Sequence, residues 1–373
     1  MRIKRHRAAL GFLAAGMLLL SACGTDKNIP KGWEMNPELK SLQVECGTEP
    51  VVAEGSSAQK NAMDIFARAY GIKCEGQKLT YTASGSGKGV AAFTAGHVDF
   101  AGSDEPLNKE AGEVAAAAKR CDGNPAWNIP MVFGPLAITY NVPGVDDLVL
   151  SPEVIAKIYQ GEITRWNDPA IRKLNPDAQL PAIDVVPFYR SDESGTSANF
   201  QKYLATATEG LWTGEGKTFR PGAGVGQGRS GSDQVTASVK QSEGGITYAS
   251  WAYPKNAGLD IARIDSGNGP VALTGEAVSK AIDSAKISGQ GHDLRLNLRS
   301  IYGNDKPGVY PLVLATYEIV CSKGYSPETA QGVKAALKVA ANVNPETLEQ
   351  AGFVALPPKF KREVLDAISA IQP

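Results

Sequence analysis

From Pro50 to the C-terminus, runs of strand length alternate with stretches of helical period, and that rhythm confines the chain to layered α/β architectures. Pro50–Glu54 reads as the first strand. Ser56 or Ser57 then caps a helix in which Met63, Phe66, Ala67 and Tyr70 recur at i, i+3, i+4 and i+7, and Gly71 closes it. Lys78–Ala83, Val98–Ala101, Pro130–Asn141, Ile183–Arg190, Ile246–Ala249 and Leu312–Val320 read as further strands. The predicted helices between them include one carrying Val90 and Phe93, Glu110–Arg120, and one that opens at Ser151-Pro152-Glu153 and stops at Gly161. Ser194–Leu204, a helix capped by Ser232 with Val235 and Val239 on one face, Ala277–Lys286 and two C-terminal helices complete the pattern. Alternation of this kind implies mainly parallel sheets flanked by helices, and 373 residues suffice for roughly two domains of ~150.

The N-terminus decides where such a body resides. Arg2, Lys4, Arg5 and Arg7 precede the apolar stretch Ala8–Leu20, whose 13 residues are too few to span a bilayer but fit the apolar region of a secretory signal. The stretch runs into Leu20-Ser21-Ala22-Cys23, which resembles a bacterial lipobox: small residues ahead of a cysteine that is lipidated and becomes the mature N-terminus. Residues 1–22 are therefore read as a lipoprotein signal peptide. Residues 23–40, polar and aperiodic, are read as a tether holding the body ~20 Å or more from the membrane. The expected location is the outer face of the bacterial cytoplasmic membrane, reached through the lipid anchor. Loss of the leader takes the formal net charge from −1 to −5, so any bound anion must be held by local groups rather than by the overall field. Cys46, Cys74, Cys121 and Cys321 then remain, an even set in an oxidising compartment with three possible pairings. Cys46 and Cys74 each precede a strand, and the two strands are read as neighbours, which favours Cys46–Cys74 with Cys121–Cys321.

Three loops rich in hydroxyls and glycine carry the functional signal: Gly55–Gln59, Ala83–Gly89 and Arg190–Ser197. Each follows a predicted strand and opens a helix, which sets backbone N–H groups and hydroxyls at the carboxyl edge of a sheet, where the helix dipole favours negative charge. Enzyme signatures fail on the same residues. Lys88 is followed by Gly89 rather than Ser or Thr, so Gly85–Gly89 is no phosphate-binding P-loop. Ser57-Ala58-Gln59-Lys60 matches the Ser-x-x-Lys of penicillin-binding enzymes, but neither Ser-Asp-Asn nor Lys-Thr-Gly occurs. Beyond the leader the only histidines are His97 and His292, with no triad, zinc or calcium pattern, so neither catalysis nor a metal or cofactor is expected. Near-balance of Lys+Arg 38 against Asp+Glu 39 argues against a nucleic-acid partner.

These residues resemble the phosphate-binding lipoproteins that deliver phosphate to ABC importers. Ala83-Ser84-Gly85-Ser86-Gly87-Lys88-Gly89-Val90 and Val98-Asp99-Phe100-Ala101-Gly102-Ser103-Asp104 look like the first two family signatures, and Arg190 through Thr196 like the third, Arg-x-Asp-x-Ser-Gly-Thr. Gly231-Ser232-Asp233, Gly245-Ile246-Thr247-Tyr248 and Trp166-Asn167-Asp168 match weaker patterns. The resemblance implies a two-lobed periplasmic-binding-protein fold, type II-like, with hinge closure over phosphate. Each lobe would be a mainly parallel sheet flanked by helices, and two hinge strands would join them near Ala137–Asn141 and Tyr310–Leu314. Lobe I would comprise 41–138 and 311–373, lobe II 139–310. The residues carried over as phosphate ligands are Ser57, the Ala58 N–H, Ser86, Asp104, Arg190, Ser194, Gly195 and Thr196. Ala58 stands where some members carry an aromatic residue, and Lys88 adds a charge to a loop often uncharged. The implied partners are inorganic phosphate and ABC importer permease subunits, with the protein itself a monomer.

The chemistry of this set is coherent in its own right. Arg190 presents a planar fork suited to two oxyanion oxygens and cannot lose its charge. Asp104 would repel an anion unless that anion brings a proton; monohydrogen phosphate does, whereas sulfate does not.

Overall fold

A computed structural model describes residues 37–304 and 306–373, arranged around a ten-stranded mixed sheet. Its principal strands are β1 (Val51–Gly55), β2 (Leu79–Thr82), β3 (Phe100–Ser103), β4 (Ala126–Asn141), β5 (Val186–Arg190), β6 (Gln227–Arg229), β7 (Gly245–Ser250) and β8 (Val313–Cys321). They lie side by side in the order β2-β1-β3-β8-β4-β7-β5-β6. The two wings are parallel: β1 pairs with β2 and β3, and β5 with β6 and β7. The centre is not, because β8 runs antiparallel to both β3 and β4, and β4 antiparallel to β7. That departure from a mainly parallel sheet follows from the path of the chain. β4 leads out of the first wing and β8 leads back, and strands travelling in opposite directions can pair only antiparallel.

β4 is an almost uninterrupted buried run, as expected of a strand covered on both faces. Its two prolines sit where a missing N–H is tolerated. Pro130 pairs with Tyr317, at the register shift between Thr316 and Tyr317, and Pro135 lies where β4 exchanges β8 for β7 as its partner. Residues 126–135 thus pair with β8 and 136–141 with β7.

Four helices spring from the carboxyl ends of parallel strands: α1 (Lys60–Lys73), α2 (Ser86–Thr94), α3 (Gly195–Ala207) and α4 (Gly231–Gln241). Two expected caps are corrected. Neither Ser56 nor Ser57 caps α1, whose N-cap is Gln59, and α4 starts after Ser230 rather than at a cap made by Ser232. The hydroxyls of Ser57 and Ser232 are drawn instead toward each other. The helix expected at Glu110–Arg120 begins only at Glu113, because Asn108 Oδ1 takes the Ala111 N–H at 3.0 Å and forms a turn ahead of it. Ser151 caps as expected, accepting from the Val154 N–H, with Pro152 in the first turn.

Disulfides join Cys46 to Cys74 and Cys121 to Cys321, the pairing favoured above. The signal peptide, Cys23 and the tether as far as residue 36 lie outside the described residues. The last residues assigned to the tether, Pro37–Lys40, belong instead to a short helix that buries Leu39 and pairs Glu38 with Lys361 at 3.0 Å. The described residues fall in one compact unit, and among them no helix is long and apolar enough to cross a membrane.

Candidate functional site

The three loops, and with them the start of α4, converge at the carboxyl edges of the two parallel wings. Thr196 Oγ1 donates to Asp104 Oδ2 at 2.9 Å, and the Gly87 N–H donates to the Glu193 carbonyl at 3.0 Å. Ser57 Oγ lies 3.1 Å from Ser232 Oγ and accepts the Ser232 N–H at 3.0 Å. Tyr253 donates its hydroxyl to the Ser57 carbonyl at 2.6 Å. Approach is closest at Gly195: a Cβ there would stand 2.7 Å from Ser86 Oγ and 3.0 Å from the Asp104 backbone nitrogen, so only glycine fits.

Arg190 ends β5 with its side chain 1% exposed. Its Nε and Nη2 form a fork on Asp192, with Nε to Oδ1 at 2.7 Å, and Nη1 reaches Ser232 Oγ at 3.3 Å. Burial pushes the Asp192 carboxyl up, but the Arg190 fork and the Gly231 N–H at 3.1 Å outweigh it and hold the group below its usual value. A rigid floor supports this pair. Tyr248 of β7 stacks on Phe200 of α3 at 4.2 Å, meets Tyr159 and Phe219 edge-on or tilted, and bonds the Ser197 hydroxyl at 2.6 Å.

Asp104 follows β3 and is 1% exposed. Its N–H donates to Ser86 Oγ at 3.3 Å, and its carbonyl accepts from Asn199 Nδ2 at 2.6 Å. Oδ1 has no partner. Burial pushes this carboxyl up to about 6; the Ser56 and Thr196 hydroxyls and the Arg190 charge pull it back, and Glu105 adds to the rise. Ser194 caps α3 by accepting the Ser197 N–H at 3.2 Å, which leaves its proton available to a guest. The Ala58 N–H is directed at Ser56 Oγ, 3.1 Å away.

The structure therefore links Ser86, Asp104, Gly195 and Thr196 directly and Ser57 to Arg190 through Ser232, with Ala58 and Ser194 in the same loops, while Lys88 and His97 are exposed. Chemically, the site offers hydroxyls, N–H groups and one guanidinium as donors, and a single buried carboxylate oxygen as acceptor. Among the described residues no group of three or more His, Cys, Asp or Glu could hold a metal. Three contributors went unassigned from sequence. Asp192 was legible, since residues two apart on extended chain share a side and Arg190 needed a partner. Ser232 lay within a noted motif but was read as a cap. Tyr253 left no local signal.

Comparison with known proteins gives three findings. Residues 41–339 match the PBP superfamily domain model. The chain is 45% identical to phosphate-binding protein PstS 3 of Mycobacterium tuberculosis over the whole of both chains, and 32% identical to phosphate-binding protein PstS of Methanocaldococcus jannaschii over 79% of each. A phosphate-binding protein from Stenotrophomonas maltophilia, 18% identical, superposes with a TM-score of 0.64 over 86% of this chain and 94% of that one, which establishes a shared fold.

Proposed function

This chain belongs to the PstS family of phosphate-binding proteins within the PBP superfamily, a family of binding proteins rather than enzymes, and from that premise we propose that it captures inorganic phosphate outside the cytoplasm for an ABC importer. The observation that carries the reading is the unpartnered Asp104 Oδ1, a buried acceptor set among donors. Monohydrogen phosphate fits such a site: its proton goes to Asp104, and its other oxygens accept from Arg190, from the Ser57, Ser86 and Ser194 hydroxyls and from the Ala58, Gly195 and Thr196 N–H groups, the Thr196 hydroxyl remaining on Asp104. The N-termini of α2 and α3 add their dipoles.

The lobes assigned are 41–138 with 311–373, and 139–310, hinged at β4 and β8 and closing on the anion. The change of partner within β4 supports that hinge, because one strand serves both wings. A lipid at Cys23 would hold the monomeric protein at the outer face of the cytoplasmic membrane, within reach of the permease.

Calorimetric titration of the mature protein with phosphate and with sulfate at pH 8 is the direct test. Saturable one-site binding of phosphate, with sulfate far weaker, is expected. No heat from phosphate overturns the reading.

A further inference from the structure

Behind the Gly55–Gln59 loop lies a second buried carboxyl that the anion site itself does not use. Glu318, on β8, is 1% exposed and stands directly opposite Gly102 of β3 and Ile129 of β4. Directly paired residues project from the same face of a sheet. The face of Gly102 is filled by two polar groups: a Cβ there would lie 1.7 Å from Gln59 Nε2 and 2.4 Å from the Tyr81 hydroxyl. Glu318 therefore rises onto the face occupied by Gln59 and Tyr81.

From there a chain of hydrogen bonds leads to the loop. Gln59 Nε2 donates to the Tyr81 hydroxyl at 2.9 Å, and Tyr81 donates to the Ser56 carbonyl at 2.8 Å. Ser56 in turn holds the Ala58 N–H, and the adjoining Ser57 reaches Ser232. Among the described residues neither Glu318 oxygen nor Gln59 Oε1, all buried, makes a hydrogen bond within 3.5 Å. With Glu318 ionised all three offer only lone pairs, and the one amide proton that Gln59 Nε2 does not give to Tyr81 must serve them; a proton on Glu318 supplies a second donor. Leaving such groups unpaired is costly in a buried, low-dielectric interior.

We propose that Glu318 is a proton-bearing positioning residue that orders the Gly55–Gln59 loop from behind, so that phosphate capture weakens once it ionises. Burial is the main cause that pushes its carboxyl up to about 8; the Gln59 side chain lowers it, and the Asp104 charge raises it further. The titratable groups facing it are Asp104, beyond β3, and Tyr81, from β2, while β4 presents Ile129. Tyr81 is pushed well above its ordinary value by burial and by Glu318, and stays neutral throughout the range in question. Above pH 8 an ionised Glu318 would add a further negative charge behind a site already holding Asp104 and a dianion, and would leave the loop network one donor short.

The proposal rests on the phosphate reading, and one experiment separates the two. Phosphate affinity is measured by calorimetry from pH 7 to 9 for the parent and for Glu318→Gln, which keeps shape and hydrogen bonding but not the titration. The titration of phosphate is common to both proteins and cancels, and Asp104, pushed up to about 6, is largely ionised in both from pH 7 to 9. Parent affinity is expected to fall about fivefold or more relative to the variant over this range. Equal slopes in the two proteins overturn the role of Glu318 while leaving phosphate binding intact; no binding by the parent at any pH overturns both. Should the variant fail to fold, difference infrared spectroscopy of the parent decides: a protonated carboxyl band present at pH 7 must bleach by pH 9, and its absence at pH 7 refutes the proposal.

Discussion

Replacing Asp104 with Asn is expected to change how the protein treats sulfate, and to do so in a pH-dependent way. Sulfate carries no proton near neutrality, so in the parent its oxygens would face an ionised, unpartnered Asp104 Oδ1. To accept it, the protein must first protonate Asp104, whose carboxyl is pushed up to about 6. At pH 8 that protonation costs about 3 kcal/mol, roughly a hundredfold in affinity; at pH 6 it shrinks to a factor of about two. Phosphate brings its own proton and escapes the penalty. Parent sulfate affinity is therefore expected to rise about tenfold per unit as the pH falls from 8 to 6 and then to level off. In Asp104→Asn the carboxamide can donate at every pH, so the sulfate profile should be flat and discrimination at pH 8 poorer by about two orders of magnitude. Calorimetry with sodium sulfate and sodium phosphate at four pH values reads both quantities. A parent sulfate affinity independent of pH, or a variant that keeps the parent's phosphate-to-sulfate ratio, would refute the reasoning.

Three further outcomes are expected. Arg190→Ala should weaken phosphate binding more than tenfold by calorimetric titration, because it removes a charged fork and strands the buried Asp192. Gly195→Ala inserts a Cβ 2.7 Å from Ser86 Oγ, and overpacking of that kind costs about 1–3 kcal/mol; phosphate affinity should drop tenfold or more while the melting temperature of the unligated protein, free to open at the hinge, moves far less. Paired Cys→Ser substitutions should separate the disulfides: loop-closure entropy gives roughly 5 kcal/mol for Cys121–Cys321, spanning 200 residues, and roughly 3.6 for Cys46–Cys74, spanning 28, to be read from denaturant midpoints.

What could be read from the chain alone divides along the range of the interactions. The strands, the helices opening after Gly85 and Ser194, and the carboxyl-edge loops rest on local rules, and those rules put the donors where they are found. The errors lie where long-range contacts override local preference. Ser57 and Ser232 are both good capping residues, yet each hydroxyl serves the other across 175 positions of sequence. The antiparallel centre of the sheet escaped for the same kind of reason, since strand direction depends on how β4 and β8 cross rather than on their composition. Glu318 was invisible for another: within the apolar run Val313–Cys321 a single acid reads as an interruption, and only its register opposite Gly102 gives it a place.

The charges at the site explain how an acidic protein can hold a dianion at all. Arg190 brings its charge to the contact point, but Asp192 already engages two of its nitrogens, so the pair presents little net positive charge. Asp104 adds a negative charge of its own. Binding must then come from directed hydrogen bonds among buried groups, where each is stronger than in solution, and not from attraction at a distance. Such a site pulls few anions in from afar, so association should depend only weakly on ionic strength. What it gains is selectivity, because in a locally balanced site a misplaced proton is felt in full, with no surplus positive field to cover the mismatch.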